Sequence, residues 1–298
     1  AGRPGAAGKE IFYIPSYVGH RSGAAEGITC FGAVSGALIA GVDKSNQNGR
    51  NYLRLVENYY HDKPGLYLNN LGGKTGKSFW YEIFPSVLFY RIYNFAPDSA
   101  PMRKQFFTTA DNWYDACVGM GGRKSPRALP DFNHTAFSFE TMKPVDNKKW
   151  TEPDSSAGVA WIEYMAHVKS GAGDKKYLTA AKWAMDYLQQ SKRSPFYEVL
   201  MPLGAYTAAR MNAELGTTYD TQRFVNWCFS GESRRRWGAT VGKWGDYDCA
   251  GLVGSVRDEK NMYAFAMNSF DLAASIVPIV RYDDRFADVM VHHPIGKR

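Results

Sequence analysis

Glu152-Pro153-Asp154-Ser155-Ser156-Ala157-Gly158-Val159-Ala160-Trp161-Ile162-Glu163-Tyr164-Met165-Ala166 is the stretch on which the reading of the chain turns. Pro153 breaks whatever precedes it, and Asp154 can accept from the free N–H groups of a first helical turn. Ser156, Ala157 and Gly158 permit close packing, while Val159, Ile162, Met165 and Ala166 recur at helical spacing. The stretch predicts a buried helix from 154 to 170 that opens on an acid. A capping role alone is the simplest account of Asp154, so the rest of the chain has to be weighed beside it.

The same pattern recurs on both sides of this stretch. An apolar segment at 27–41 is followed by an amphipathic one at 49–61; the next pairs are 79–94 with 102–118, and 154–170 with 175–190. Then come 195–215, closed by Gly216, with 220–229, and finally 261–281 with the start of a surface helix at 284–292. Pro85 falls in the first turn or two of its helix, where a missing N–H costs least. No run of period-two strands stands out.

Buried-then-exposed pairs repeating at about forty to seventy-five residues predict an all-α fold, an α/α toroid with apolar helices inside and amphipathic ones outside. Residues 1–26 read as an N-terminal extended segment with a trimmed, flexible start, and 27–298 as the toroidal catalytic domain. A closed toroid of this kind has six hairpins. The chain supplies five pairs, so either 11–22 helps to close the ring or the natural protein continues beyond Arg298 and the ring is incomplete at the C-terminus.

Asp154-Ser155-Ser156-Ala157 resembles the Asp-Thr/Ser-Ser-Ala motif of the unsaturated glucuronyl hydrolases. From Gly27 to Arg281 the architecture is similar to that of the uncharacterised and β-glucuronidase-like bacterial (α/α)6 glycoside hydrolases. The resemblance implies that Asp154 serves as general acid/base. That family has a second functional Asp one inner helix upstream; this chain has Glu82 there, without the family's preceding His.

In such a ring the starts of the inner helices gather around one cavity, so candidate residues are those near helix starts. Glycoside hydrolysis needs one protonated and one ionised carboxyl, and Asp154 with Glu82 or Glu198 supplies such a pair. Glu82 can equally be a first-turn acid favoured by the helix dipole. Glu26, Asp246 and Asp248 are further acids, the last two in an aromatic, Gly-rich loop with Trp244 and Tyr247, which an Asp-rich turn explains almost as well. Trp80, Tyr81, Trp150 and Trp244 offer flat rings for a sugar. His20, Arg21, His134, Arg257 and Lys260 offer donors or charge to a sugar carboxylate, Arg being the best fork. Asn133-His134-Thr135 also fits a glycosylation sequon.

Composition narrows the classes. The chain has 298 residues, 45% apolar and 15% aromatic, which is globular rather than disordered. Its net charge of +7 favours an anionic partner, but the basic residues are scattered and match no nucleic-acid motif. Arg234-Arg235-Arg236 reads as a solvated loop. An acidic carbohydrate is therefore the expected partner, with neither nucleic acid nor membrane. No apolar run reaches the ~18 residues of a span, and no signal peptide is visible.

Cys30, Cys117, Cys228 and Cys249 form no CxxC pair, and disulfides stay open. Trp227-Cys228 resembles half of the zinc motif of toroidal lanthionine cyclases, but Ala250 follows Cys249 where those enzymes have His. Asp246-Tyr247-Asp248-Cys249 stops short of the DxDD cluster of toroidal terpene cyclases. No metal and no cofactor is expected.

These readings converge on a glycoside hydrolase, glucuronidase-like or an unsaturated uronyl hydrolase, acting on a uronic-acid-containing oligo- or polysaccharide with inversion. One alternative is a polysaccharide lyase using Tyr81, Tyr247 or His134 to abstract a proton. The other is a non-catalytic glycan-binding toroid. Export with the leader removed is the expected location, and the cytoplasm is the alternative.

Overall fold

Small and apolar residues at 27–39, 79–95, 155–169, 201–215 and 266–276 leave these segments little surface that belongs in water. In the computed structural model each of them is a core helix. The structure describes residues 2–4, 10–15, 26–96, 100–123, 128–171, 173–239, 243–244, 246–255 and 263–287, with backbone alone at 2–4, 244 and 263–264.

In chain order the elements are β1 (Gly2–Pro4), β2 (Glu10–Phe12), α1 (Gly27–Ile39), α2 (Tyr52–Leu55), β3 (Tyr60–His61), β4 (Leu66–Tyr67), α3 (Phe79–Phe95) and α4 (Ala100–Gly119). Then follow β5 (Ala136–Ser138), β6 (Lys143–Val145), α5 (Ser155–Lys169), α6 (Lys175–Gln190), α7 (Met201–Leu215) and α8 (Thr221–Phe229). The described chain closes with β7 (Trp237–Ala239), β8 (Lys243–Trp244), β9 (Tyr247–Asp248), β10 (Val253–Ser255), β11 (Tyr263–Phe265) and α9 (Ala266–Ile276). The protein is mostly helical.

Five helices form the centre, each packed on the next: α1 on α3, α3 on α5, α5 on α7, α7 on α9. The amphipathic α4 and α6 cover α5, and α8 covers α7. Small residues set the spacing. A Cβ on Gly158 would lie 2.6 Å from Ile83 Cγ2 and 3.1 Å from Leu200 Cδ2, and one on Gly204 would lie 2.8 Å from Ala157 Cβ. Thus α5 approaches both neighbours more closely than a larger side chain permits.

Polar groups tie the N-terminal ends of the five helices together. Asn69 accepts from Gly27 N (2.9 Å) through its carbonyl and from Ile28 N (3.1 Å) through Oδ1, so it caps α1, whose own N-cap residue Glu26 makes no side-chain cap bond. Pro85 removes the donor that would serve the Tyr81 carbonyl, and Asn69 N reaches that oxygen instead at 3.4 Å. Trp80 N donates to Glu152 at the entry to α5, Tyr197 N at the entry to α7 donates to Asp154, and Asn268 of α9 donates to Glu198. Every joint between successive core helices carries one such tie.

The structure corrects several expectations. The helix expected at 49–61 shrinks to α2, a 3-10 turn at Val56–Tyr59 and β3. Asn48 and Gly49 have positive φ of 53° and 73°, and the Tyr59 hydroxyl is drawn to the Phe12 carbonyl at 3.1 Å. The fourth core helix starts at Met201 rather than 195, because Glu198 sits at φ 56°, outside the helical region. The fifth starts at Ala266, after β11, and turns to 3-10 geometry at Val277, next to Pro278. Of the surface helix expected from 284, the structure describes a 3-10 turn at Asp284–Phe286.

Strands are present where none was expected. They are two or three residues long, too short to show a period, and the largest sheet orders them β11-β10-β7, all antiparallel. Residues 2–4, expected to be a flexible start, pair with 10–12. All four cysteines are free and buried.

Candidate functional site

Asp154 does not cap α5. Its backbone is already helical and its side chain makes no cap bond; Oδ2 instead accepts from Tyr197 N at 2.9 Å. Its Oδ1 is buried without a hydrogen-bond partner. Burial drives its pKa well above the carboxylate range, and the charges of Glu152 and Glu198 push the same way. Burial therefore favours the neutral form of Asp154, which is wholly enclosed.

The N–H that Asp154 holds belongs to the residue just before Glu198. Glu198 is a non-glycine residue at positive φ, a backbone state that costs on the order of 1–3 kcal/mol and persists only where its surroundings enforce it. The enforcement is visible. Its carbonyl accepts from Trp237 Nε1 at 2.9 Å, and its Oε2 from Asn268 Nδ2 at 3.0 Å. Burial raises the Glu198 pKa to about 7, working against the bonds from Asn268 and Tyr197; Glu152 raises it further, and the Arg235 guanidinium lowers it. A carboxyl with this pKa exchanges its proton at neutral pH.

Glu198 lines a cavity of about 620 Å³ between α1, α3 and α9, within the ~300–1,000 Å³ range of small-molecule sites. Glu26, Trp80, Tyr81 and Asn268 line the same end of it. The Trp80 and Tyr81 rings are stacked, with centroids 4.2 Å apart and planes at 28°. Further along, Arg91 of α3 is ion-paired with Asp271 of α9 and donates to Ser275 Oγ at 3.2 Å. Asp271 Oδ2 is buried without a hydrogen-bond partner.

The other acid from the sequence, Glu82, is buried and held by backbone. Its Oε1 accepts from Gly76 N (2.6 Å) and Lys77 N (3.1 Å), and its Oε2 from Phe137 N (3.2 Å). Burial nonetheless raises its pKa to about 8. Glu82 is not among the residues lining the cavity, and its bonds join the loop before α3 to β5. Trp150 donates from Nε1 to Glu152 at 3.1 Å, and Glu152 also accepts from Ser78 Oγ (2.7 Å) and Trp80 N (3.0 Å).

The peripheral candidates lie apart from this group. His134 Nδ1 is bonded to Asp146 at 3.0 Å, and His134 does not line the cavity. Asp248 is exposed and serves its own turn, accepting from Ala250 N at 3.0 Å; Tyr247 is 77% exposed. Trp244 contributes backbone to β8, and its side chain lies outside the described residues, as do His20, Arg21, Arg257 and Lys260.

Sequence reasoning passed over Glu152, Tyr197, Asn268, Asp271 and Arg235. Glu152 stands in the decisive stretch, and its neighbour Pro153 was the available signal. Arg235 is a correction: its run reads as a solvated loop, yet its guanidinium lies 4.0 Å from the Tyr197 ring centroid and 5.2 Å from that of Trp150. Its Nη1 is buried and has no hydrogen-bond partner, while Arg234 and Arg236 are exposed. Nothing in a three-arginine run distinguishes the middle one.

No group of three or more His, Cys, Asp or Glu among the described residues is arranged to hold a metal ion, and none of their helices is long and apolar enough to cross a membrane. Set against family models, curated proteins and solved structures, the chain matches none of them.

Proposed function

We propose that this chain is a glycoside hydrolase built on an α/α toroid, with Glu198 as the acid/base group. The observation that carries the reading is Glu198 itself: a strained residue with a pKa of about 7, fixed by Asn268 and Trp237 at the wall of a cavity beside the stacked Trp80 and Tyr81 rings. Strain maintained at one carboxylate, facing a cavity, is characteristic of functional sites.

Hydrolysis needs a second carboxyl. Asp271 lines the same cavity one turn along α9 from Asn268; burial raises its pKa, and Arg91 beside it opposes that rise. Protonated Glu198 donates to the glycosidic oxygen as the bond from that oxygen to the anomeric carbon breaks. Asp271 accepts the proton of the water that forms the new C–O bond, and loss of that proton and re-protonation of Glu198 restore the site. Asp154, enclosed behind Tyr197, acts as a positioning residue for Glu198. Arg235 does not line the cavity; its charge bears on the site by favouring the ionised form of Glu198. His134, bonded to Asp146 outside the cavity, gives the lyase reading no support.

The test is a panel of saturated and unsaturated uronides of both anomers. From the saturated members the native chain is expected to release a saturated reducing sugar, and Glu198→Gln to lose roughly 100-fold or more in kcat. Full activity in Glu198→Gln, or no turnover of any member by the native chain, refutes the proposal; an ultraviolet-absorbing enone product would indicate a lyase.

A further inference from the structure

The cavity is divided along its length. Its polar groups, Glu26, Glu198 and Asn268, lie where the helix starts converge, with the Trp80 and Tyr81 rings beside them. Along the helices the wall becomes apolar: Gly36 and Ile39 of α1, Phe84 and Leu88 of α3, Phe270 and Ala274 of α9. Ser35 and the Arg91–Asp271 ion pair, whose carboxylate is the base of the proposed reaction, interrupt that wall. At the rim, Ile39 is 61% exposed and Phe270 76% exposed.

Large apolar side chains left in water on facing helices, both bordering one cavity, form the pattern of a binding surface rather than of scattered surface residues. Nor is the apolar wall a packing defect. A Cβ added at Gly32 or Gly36 would meet nothing within 4 Å, so α1 presents glycines to open space along this wall.

From this division we infer that the substrate is an amphipathic glycoside: a sugar at the Glu198 end, joined to an apolar aglycone that lies along α1, α3 and α9. The inference rests on the glycosidase reading for the sugar end and goes beyond it in naming the leaving group. Burial of an alkyl chain against this wall yields roughly a fourfold gain in affinity per methylene, until the chain reaches the rim. A polymer of hydroxylated sugars would leave the same wall without a partner and would have to shed water from its hydroxyl groups to lie on it.

Methyl, butyl and octyl glucosiduronates, as both anomers, separate this inference from the reading on which it rests. Turnover is measured with the native chain and binding by calorimetry with Glu198→Gln. The octyl compound is expected to exceed the methyl compound at least tenfold in kcat/KM and in affinity. Gly36→Leu, which places a side chain in the open space beside α1, is expected to abolish that preference while circular dichroism shows the helices retained. Turnover of methyl and octyl compounds within twofold of each other overturns the inference and leaves the hydrolase proposal standing. Octyl-selective binding without turnover supports the amphipathic ligand and overturns the hydrolase. A preference that survives Gly36→Leu undiminished overturns the placement of the apolar group.

Discussion

Replacing Glu198 by Gln tests the physical description of the site without any substrate. In the folded chain the Glu198 pKa is about 7, against an ordinary 4.5. The native state therefore binds more protons than the unfolded state between these values, and stability falls as pH rises through that window. The contribution is fully present below pH 4.5 and is lost above about 7. Carrying the pKa from 4.5 to about 7 corresponds to about 3 kcal/mol of cost once the carboxyl ionises.

Glutamine keeps the shape and the oxygen that accepts from Asn268 but cannot ionise. Urea unfolding of both proteins at pH 5 and pH 8 should show the variant gaining about 3 kcal/mol on the native chain between the two conditions. Taking the difference cancels the other raised acids, Glu82 and Glu163 among them. Asp154, relieved of the Glu198 charge, adds in the same direction. Curves that stay parallel within 1 kcal/mol, or a variant that loses ground at pH 8, would refute the burial argument.

Arg91→Met removes the cation beside Asp271 and should cost about 3 kcal/mol at pH 7 by denaturant unfolding, less at pH 5, where the stranded carboxyl takes up a proton. Gly158→Ala forces a methyl group to within 2.6 Å of Ile83 and should destabilise by about 1–2 kcal/mol in thermal unfolding, despite the better helix propensity of Ala. Asn69→Ala leaves Ile28 N without its side-chain acceptor and should cost about 1 kcal/mol, with amide exchange accelerating first in the opening turn of α1. Glu198→Gly relaxes the positive-φ backbone and should leave stability at pH 8 unchanged or improved while abolishing turnover.

The core helices were legible because their character is local. Small and apolar residues at helical spacing around Gly158 and Gly204 announce burial, and the strong amphipathicity of 175–190 gives α6 its bounds directly. Helix starts were harder. At 195–200 the residues suit a helix, and what stops them is the left-handed backbone of Glu198, imposed by Trp237 and Asn268 from segments far along the chain. At 49–61 the break came from Asn48 and Gly49, whose turn outweighed an amphipathic pattern.

The site divides in the same way. Asp154 and Glu198 were found because acids near helix starts are conspicuous, and Trp80 and Tyr81 because rings beside an acid are. Arg235, Asn268 and Asp271 were not, since what makes them notable is only what they meet after folding: two aromatic rings, a strained carboxylate and a half-buried cation. Asp154 carries the further lesson that a good capping residue can be diverted to a neighbouring segment.

The ties that join the helix starts also decide which part of the molecule can yield. α1 is fastened at its first turn through Asn69, whereas α3 and α9 are clamped again midway by Arg91, Asp271 and Ser275. Among the described residues, the far half of α1, ending at the exposed Ile39, shows no such second clasp. Pinned at one end like a door leaf at its upper corner, it is the part of the wall that a bulky guest would displace at least cost, away from the acids at the pivot. Among the five central helices, deuterium should therefore enter the last turns of α1 soonest, and least readily when the chamber is filled.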